Sequence, residues 1–255
     1  MAIHGVSTKT MRRTLAGALV ASLVSAASAD VIGMMFTIEA SVPDVGSAYW
    51  SIEVPAGYGS TFDWALDKPI ELWGADKYGK PHLYGKLLDA TAGYIADPVV
   101  GLGFLAEAGA LTTNFTISSA LLAFAPINPA QARASASIGV TDGGFDGVVL
   151  LGGHTDGSAY LAQVNGFVPG GTTFVGLIPG VAAGPGGVNS VFVDHPGGGA
   201  YLNIGGPIVD MSTSFKFSLS PFDQANGTSV FEVIPEPAAL MSMALVGLAL
   251  LRRRG

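Results

Sequence analysis

The chain contains no cysteine among its 255 residues. Disulfide stapling, thiol nucleophiles and cysteine-ligated zinc or iron–sulfur centres are therefore excluded. Charge is scarce as well, at 12% of residues, and positive charge is the scarcer sign. Six of the twelve lysines and arginines (Lys9, Arg12, Arg13 and Arg252 to Arg254) sit near the two ends. Between Asp30 and Ile234, eighteen acids face six bases, a net charge of −12. A surface of that sign repels phosphate backbones, so nucleic acid is not an expected partner. No Gly-x-Ser-x-Gly elbow occurs, and no two histidines stand four apart as in a helical zinc site. On these absences no catalytic residue and no metal ligand is assigned, and the chain is read as a non-enzyme.

Helical periodicity is also missing between the ends. What is there instead is a succession of short apolar or alternating runs cut by Gly, Pro, Asn and Asp, the punctuation of strands and turns. Strands are predicted over Val31 to Ala40, Ala48 to Val54, Val99 to Glu107, Asn114 to Phe124, Ala134 to Thr141, Val148 to Leu151, Ala159 to Val164, Thr173 to Leu177 and Ser212 to Leu219. In the last, Phe215, Phe217 and Leu219 alternate with Ser214, Lys216 and Ser218, so one face is buried and the other wet. About nine to twelve strands at this spacing predict an all-β, jelly-roll-like β-sandwich body. The glycine-dense stretch from Gly166 to Gly206 reads as successive hairpin loops.

The ends carry an address. Lys9, Arg12 and Arg13 precede an apolar run from Leu15 to Val24, which is followed by Ala27-Ser28-Ala29. That order matches a secretory signal peptide over residues 1–29, cleaved after Ala29 and handled by the general secretion machinery. As a helix the run is about 15 Å long, too short to span a bilayer. At the other end, Pro235-Glu236-Pro237 leads into uncharged residues from Ala238 to Leu251 and then Arg252, Arg253 and Arg254. The prolines favour an extended, accessible segment. The apolar stretch spans about 21 Å as a helix, a marginal and transient membrane crossing, and the three arginines hold its far end in the cytoplasm as a stop-transfer cluster.

These three ordered elements resemble the PEP-CTERM sorting tail of diderm bacteria, here over residues 233–255. The resemblance implies a membrane-embedded, exosortase-type protease as partner, with Pro235, Glu236 and Pro237 as its recognition element. It also implies a cell-surface or extracellular destination in cells that make extracellular polysaccharide.

The body, residues 30–232, admits three readings. It is a structural or adhesive component of the extracellular layer, the preferred one, or a carbohydrate-binding module, or a secreted hydrolase using paired carboxylates. The second rests on an aromatic concentration: Trp50, Trp64 and Trp73 with Tyr49, Tyr58, Tyr78 and Tyr84, interspersed with acids. Of these, Trp50, Trp64, Trp73 and Tyr78 are the candidate sugar-stacking residues, aromatic faces covering pyranose rings beside polar groups. No cofactor is required, although Asp142 and Asp146 flank a glycine-rich turn that offers calcium clustered oxygens. Asp142 and Asp146 do not follow the EF-hand spacing.

Overall fold

A computed structural model describes residues 29–54, 61–167 and 170–236, and in it the body is built entirely of antiparallel strands. The predicted signal segment with Ala27, and the tail from Pro237 through Arg254, lie outside the described residues. Among the described residues no helix is long and apolar enough to cross a membrane.

Sixteen strands form two sheets of eight. The first sheet contains β1 (Asp30–Val42), β2 (Gly46–Glu53), β7 (Thr113–Ile127), β9 (Val148–Gly152), β10 (Tyr160–Val164), β11 (Thr172–Leu177), β12 (Gly180–Ala183) and β15 (Ile208–Leu219). Its order is β11-β10-β15-β7-β1-β2, with β9 also on β15 and β12 on β9. The second contains β3 (Thr61–Ala65), β4 (Ile70–Ala75), β5 (Pro81–Ile95), β6 (Val99–Ala108), β8 (Ala130–Thr141), β13 (Val188–His195), β14 (Leu202–Ile204) and β16 (Gln224–Pro235). Its order is β13-β8-β16-β6-β5-β3, with β14 on β8 and β4 on β5.

Period-two alternation sets the two faces. In β8, Ala132, Ala134 and Ala136 are buried while Arg133, Ser135 and Ser137 point outward, so a run of poor strand formers is held as a strand by its burial pattern. The sheets meet over aromatic rings. Phe104 of β6 lies 5.0 Å from Phe215 and 5.5 Å from Phe217, and Phe174 stacks on Phe231 at 5.5 Å. Gly227 of β16 is where it is because the Phe104 ring lies over it, with ring carbons 2.4 and 2.7 Å from where a Cβ would stand.

One device joins the sheets through hydrogen bonds. The register of β1 on β7 shifts between Ile32 and Phe36, at a bulge containing Gly33 with φ of 92°. A bulge leaves backbone groups unpaired. Here the Tyr94 hydroxyl, reaching over from β5, donates to the Met35 carbonyl and accepts from the Ala120 N–H at 2.8 Å.

The chain crosses from sheet to sheet repeatedly, and both ends of the described body reach the same pole. Asp30 pairs with Ala123 near the end of β7, and Pro235 pairs with Ala130 at the start of β8, on either side of the β7–β8 turn.

The strand count exceeds the predicted one. All nine predicted strands are present within longer or equivalent ones, and β3, β4, β5, β12, β13, β14 and β16 are additional. The stretch from Gly166 to Gly206 holds all of β11, β12, β13 and β14 rather than loops alone. These are edge or near-edge strands, and β13 is exposed over Val188 to Ser190 and then turns an apolar Phe192 outward between the half-buried Val191 and Val193, so its sequence carries no alternating signal.

Candidate functional site

The four aromatic candidates do not share one surface. Trp50 and Trp64 turn inward and form a cluster with Phe36, at centroid distances of 5.4 Å for Phe36–Trp64 and 6.1 Å for Trp50–Trp64. They close the sandwich where β2 and β3, edge strands of opposite sheets, approach one another. Trp73 on β4 and Tyr78 in the following turn face solvent. The Trp73 Nε1–H donates to Glu71 Oε2 at 2.8 Å, and Lys77 Nζ lies 5.4 Å from the Tyr78 ring centroid. Asp76 organises that turn by accepting the Tyr78 and Lys80 amides, each at 2.8 Å. Tyr84 is buried and donates its hydroxyl to the Ala75 carbonyl.

The acidic turn gathers a third carboxylate that spacing alone does not reveal. Asp142, Asp146 and Asp223 bring oxygens within 4.8 Å of one another. Two of the three are already engaged. Asp142 accepts the amides of Phe145 (2.8 Å), Gly147 (2.9 Å) and Gly186 (2.6 Å), and Asp223 accepts the Gly143 amide and the Ser220 hydroxyl. Burial alone pushes the Asp142 carboxyl upward, but the Gly186, Gly147 and Phe145 amides outweigh it and leave the group below its ordinary range. Calcium takes about six to eight oxygen ligands. The engaged oxygens serve first to tie the loops after β8, β12 and β15 together.

His154, Ser214 and Asp156 lie close in space without forming a working triad. The His154 Nε2 is 3.3 Å from the Ser214 hydroxyl, which is fully buried, and Asp156 Oδ1 is spent on the Ser158 amide and hydroxyl. Burial lowers the His154 pKa. No acyl carbon can reach Ser214 to be attacked. His195 packs edge-on against Phe174, and His82 against Tyr84.

The first two residues of the predicted sorting motif are joined to the sandwich. Pro235 is the last residue of β16, in a strand central to its sheet. A proline fits there because β16 has already outrun β6, whose last register partner is Val99 opposite Glu232, so no bond from its nitrogen is needed on that side. The Glu236 amide donates to the Pro129 carbonyl at 3.0 Å, and Asn203 Nδ2 donates to Glu236 Oε1 at 3.4 Å. Ala29, at the predicted signal cleavage point, packs against the core just before β1.

No family model matches the chain, and no curated protein matches it. Among solved structures, a chain of the infectious bursal disease virus Gx strain aligns over 85% of this chain and 68% of its own at 10% identity, with a TM-score of 0.25. A chain of the Gt strain aligns over 83% and 66% at 11% identity, with a TM-score of 0.23. A likeness that low carries no argument about fold or function.

Proposed function

We propose that this is an exported bacterial protein of the cell surface or extracellular matrix, with a non-enzymatic structural or adhesive role, sorted through its C-terminal tail by an exosortase-type protease. The body would be a jelly-roll-like sandwich. The observation that supports this reading best is the junction between body and tail: β16 runs directly into Pro235-Glu236-Pro237 without a linker. A tail that begins there fixes the folded body against the membrane surface while the apolar stretch is inserted. To enter a protease, Glu236 gives up its bonds to Pro129 and Asn203 at the frayable end of β16.

The test is the mass of the surface or medium form, after expression of the full chain in a host with the sorting machinery. The expected species begins at Asp30 and ends or is modified near Pro235 to Pro237. A mature chain that keeps Arg252 to Arg254 would overturn the proposal in favour of a plain membrane anchor.

A further inference from the structure

We propose that the outer face of the second sheet is a binding groove for a neutral oligosaccharide chain laid across the strands, with Phe192 as its stacking platform. The proposal concerns the body alone and does not depend on the sorting reading.

Two depressions lie on this face. One, of about 300 Å³, is walled by Phe192 and Asp194 of β13, Arg133 and Ser135 of β8, and the Pro196 to Gly199 loop. The other, of about 500 Å³, lies over β3, β5 and β6, between Asp63 and Thr228. Register places them in one line. Asp63 is opposite Gly93, Gly93 opposite Gly101, Gly101 opposite Val230, Val230 opposite Ser135, and Ser135 opposite Asp194. Five strand-to-strand steps of about 4.8 Å make a track of about 24 Å, long enough for several sugar rings. Val230, between Gly101 and Ser135 in that line, is part of the wall of the first depression.

The chemistry along the track matches a sugar chain. Phe192 is 66% exposed and Val230 is 46% exposed, which gives apolar faces for the C–H side of a pyranose. Neither the Asp63 nor the Asp194 carboxylate has a hydrogen-bond partner among the described residues, so both are free to accept from sugar hydroxyls. The two cations on this face are already paired: Arg133 is 2.7 Å from Glu232, and Lys86 is 2.7 Å from Glu107. Free acids beside neutralised cations disfavour uronate or phosphate polymers and leave a neutral, hydroxyl-rich one. The two free carboxylates stand at opposite ends of the track, well beyond the roughly 5 to 10 Å that separates a glycosidase pair, so the track holds a sugar chain without cutting it.

Gly101 gives the second, independent support. A Cβ there would meet nothing closer than the Ser229 carbonyl at 3.7 Å, so neither packing nor backbone requires glycine. Glycine inside a strand costs about 0.5–1 kcal/mol relative to alanine and marks places where another group approaches the backbone closely. What glycine provides at this position is an open floor in the middle of the track.

The experiment is affinity electrophoresis of the purified body, residues 30–236, checked for folding by its cooperative melt, through gels containing dextran, a β-1,3-glucan or a galactomannan, with alginate as the anionic control. At least one neutral polymer is expected to retard the protein. Phe192→Ala should weaken that retardation about tenfold, and Gly101→Leu, which fills the track but fits the strand, should abolish it with the melting temperature kept or raised. Trp73→Ala, on the surface nominated by sequence, should change nothing. The proposal is overturned if no neutral polymer retards the protein, if alginate alone does, if Trp73→Ala is the variant that loses retardation, or if Gly101→Leu changes sedimentation instead, which would assign the face to a second copy of the chain.

Discussion

At the residue scale, two buried tyrosines make opposite predictions from the same substitution. Tyr94 satisfies both backbone groups orphaned by the β1 bulge, and burial raises its phenol well above the ordinary range. Tyr94→Phe strands a carbonyl and an amide in the core and is expected to cost about 1–3 kcal/mol in denaturant titration. Tyr160 is equally buried, yet its hydroxyl, with those of Thr213 and Ser229, converges in the core without a well-formed hydrogen bond. Tyr160→Phe removes a desolvated polar atom that gains little, so its expected effect is less than about 1 kcal/mol, or a small stabilisation. Equal losses in the two variants would show that ring packing, not the hydroxyl, is what matters at both sites.

At the scale of the element, the Asp142 turn links pH to stability. Its carboxyl lies below the ordinary range in the folded state, so its contribution is complete above the unfolded value of about 4 and is lost as pH falls through the lowered one. Thermal melts are therefore expected to drop steeply below about pH 4. Asp142→Asn should lower stability at pH 7 and flatten that acid limb, because the group that titrates is gone. Chelator is expected to leave the neutral-pH melt unchanged, since the Asp142 and Asp223 oxygens are occupied by protein donors; a rise in melting temperature with added calcium would instead make Asp146 the third ligand of an ion site.

The elements also show what was legible in the sequence. β15 could be read from Phe215, Phe217 and Leu219 because one of its faces is buried and the other wet, and β8 from its alternating alanines. β16 escaped because Asn226-Gly227 looks like a turn, whereas the glycine makes room for the ring of Phe104, its register partner on β6, a contact between distant segments that local pattern does not encode. The tryptophans were legible as a concentration but not as a surface: alternation sends Trp50 and Trp64 inward and, with Leu72 buried, Trp73 outward, while Tyr78 lies in the turn after β4. Phe192 stood between Val191 and Val193 in a segment without alternation. Only the register of β13 on β8, which sets it opposite Ser137 with Asp194 opposite Ser135, brings it to one depression with Arg133 and Ser135.

At the scale of the whole molecule, both ends of the body sit at the β7–β8 pole, and the Asp142 turn sits at the other. The C-terminal end leaves through a strand bonded along twelve residue pairs to β8 and nine to β6. Tension applied to Glu236 therefore runs along the axis of β16, across hydrogen bonds perpendicular to the pull, and loads both ladders in shear at once. The same pull on β14, an edge strand of three residues, would open bonds one after another. A body hauled by its tail should thus hold far more force in single-molecule extension than one hauled by its edge.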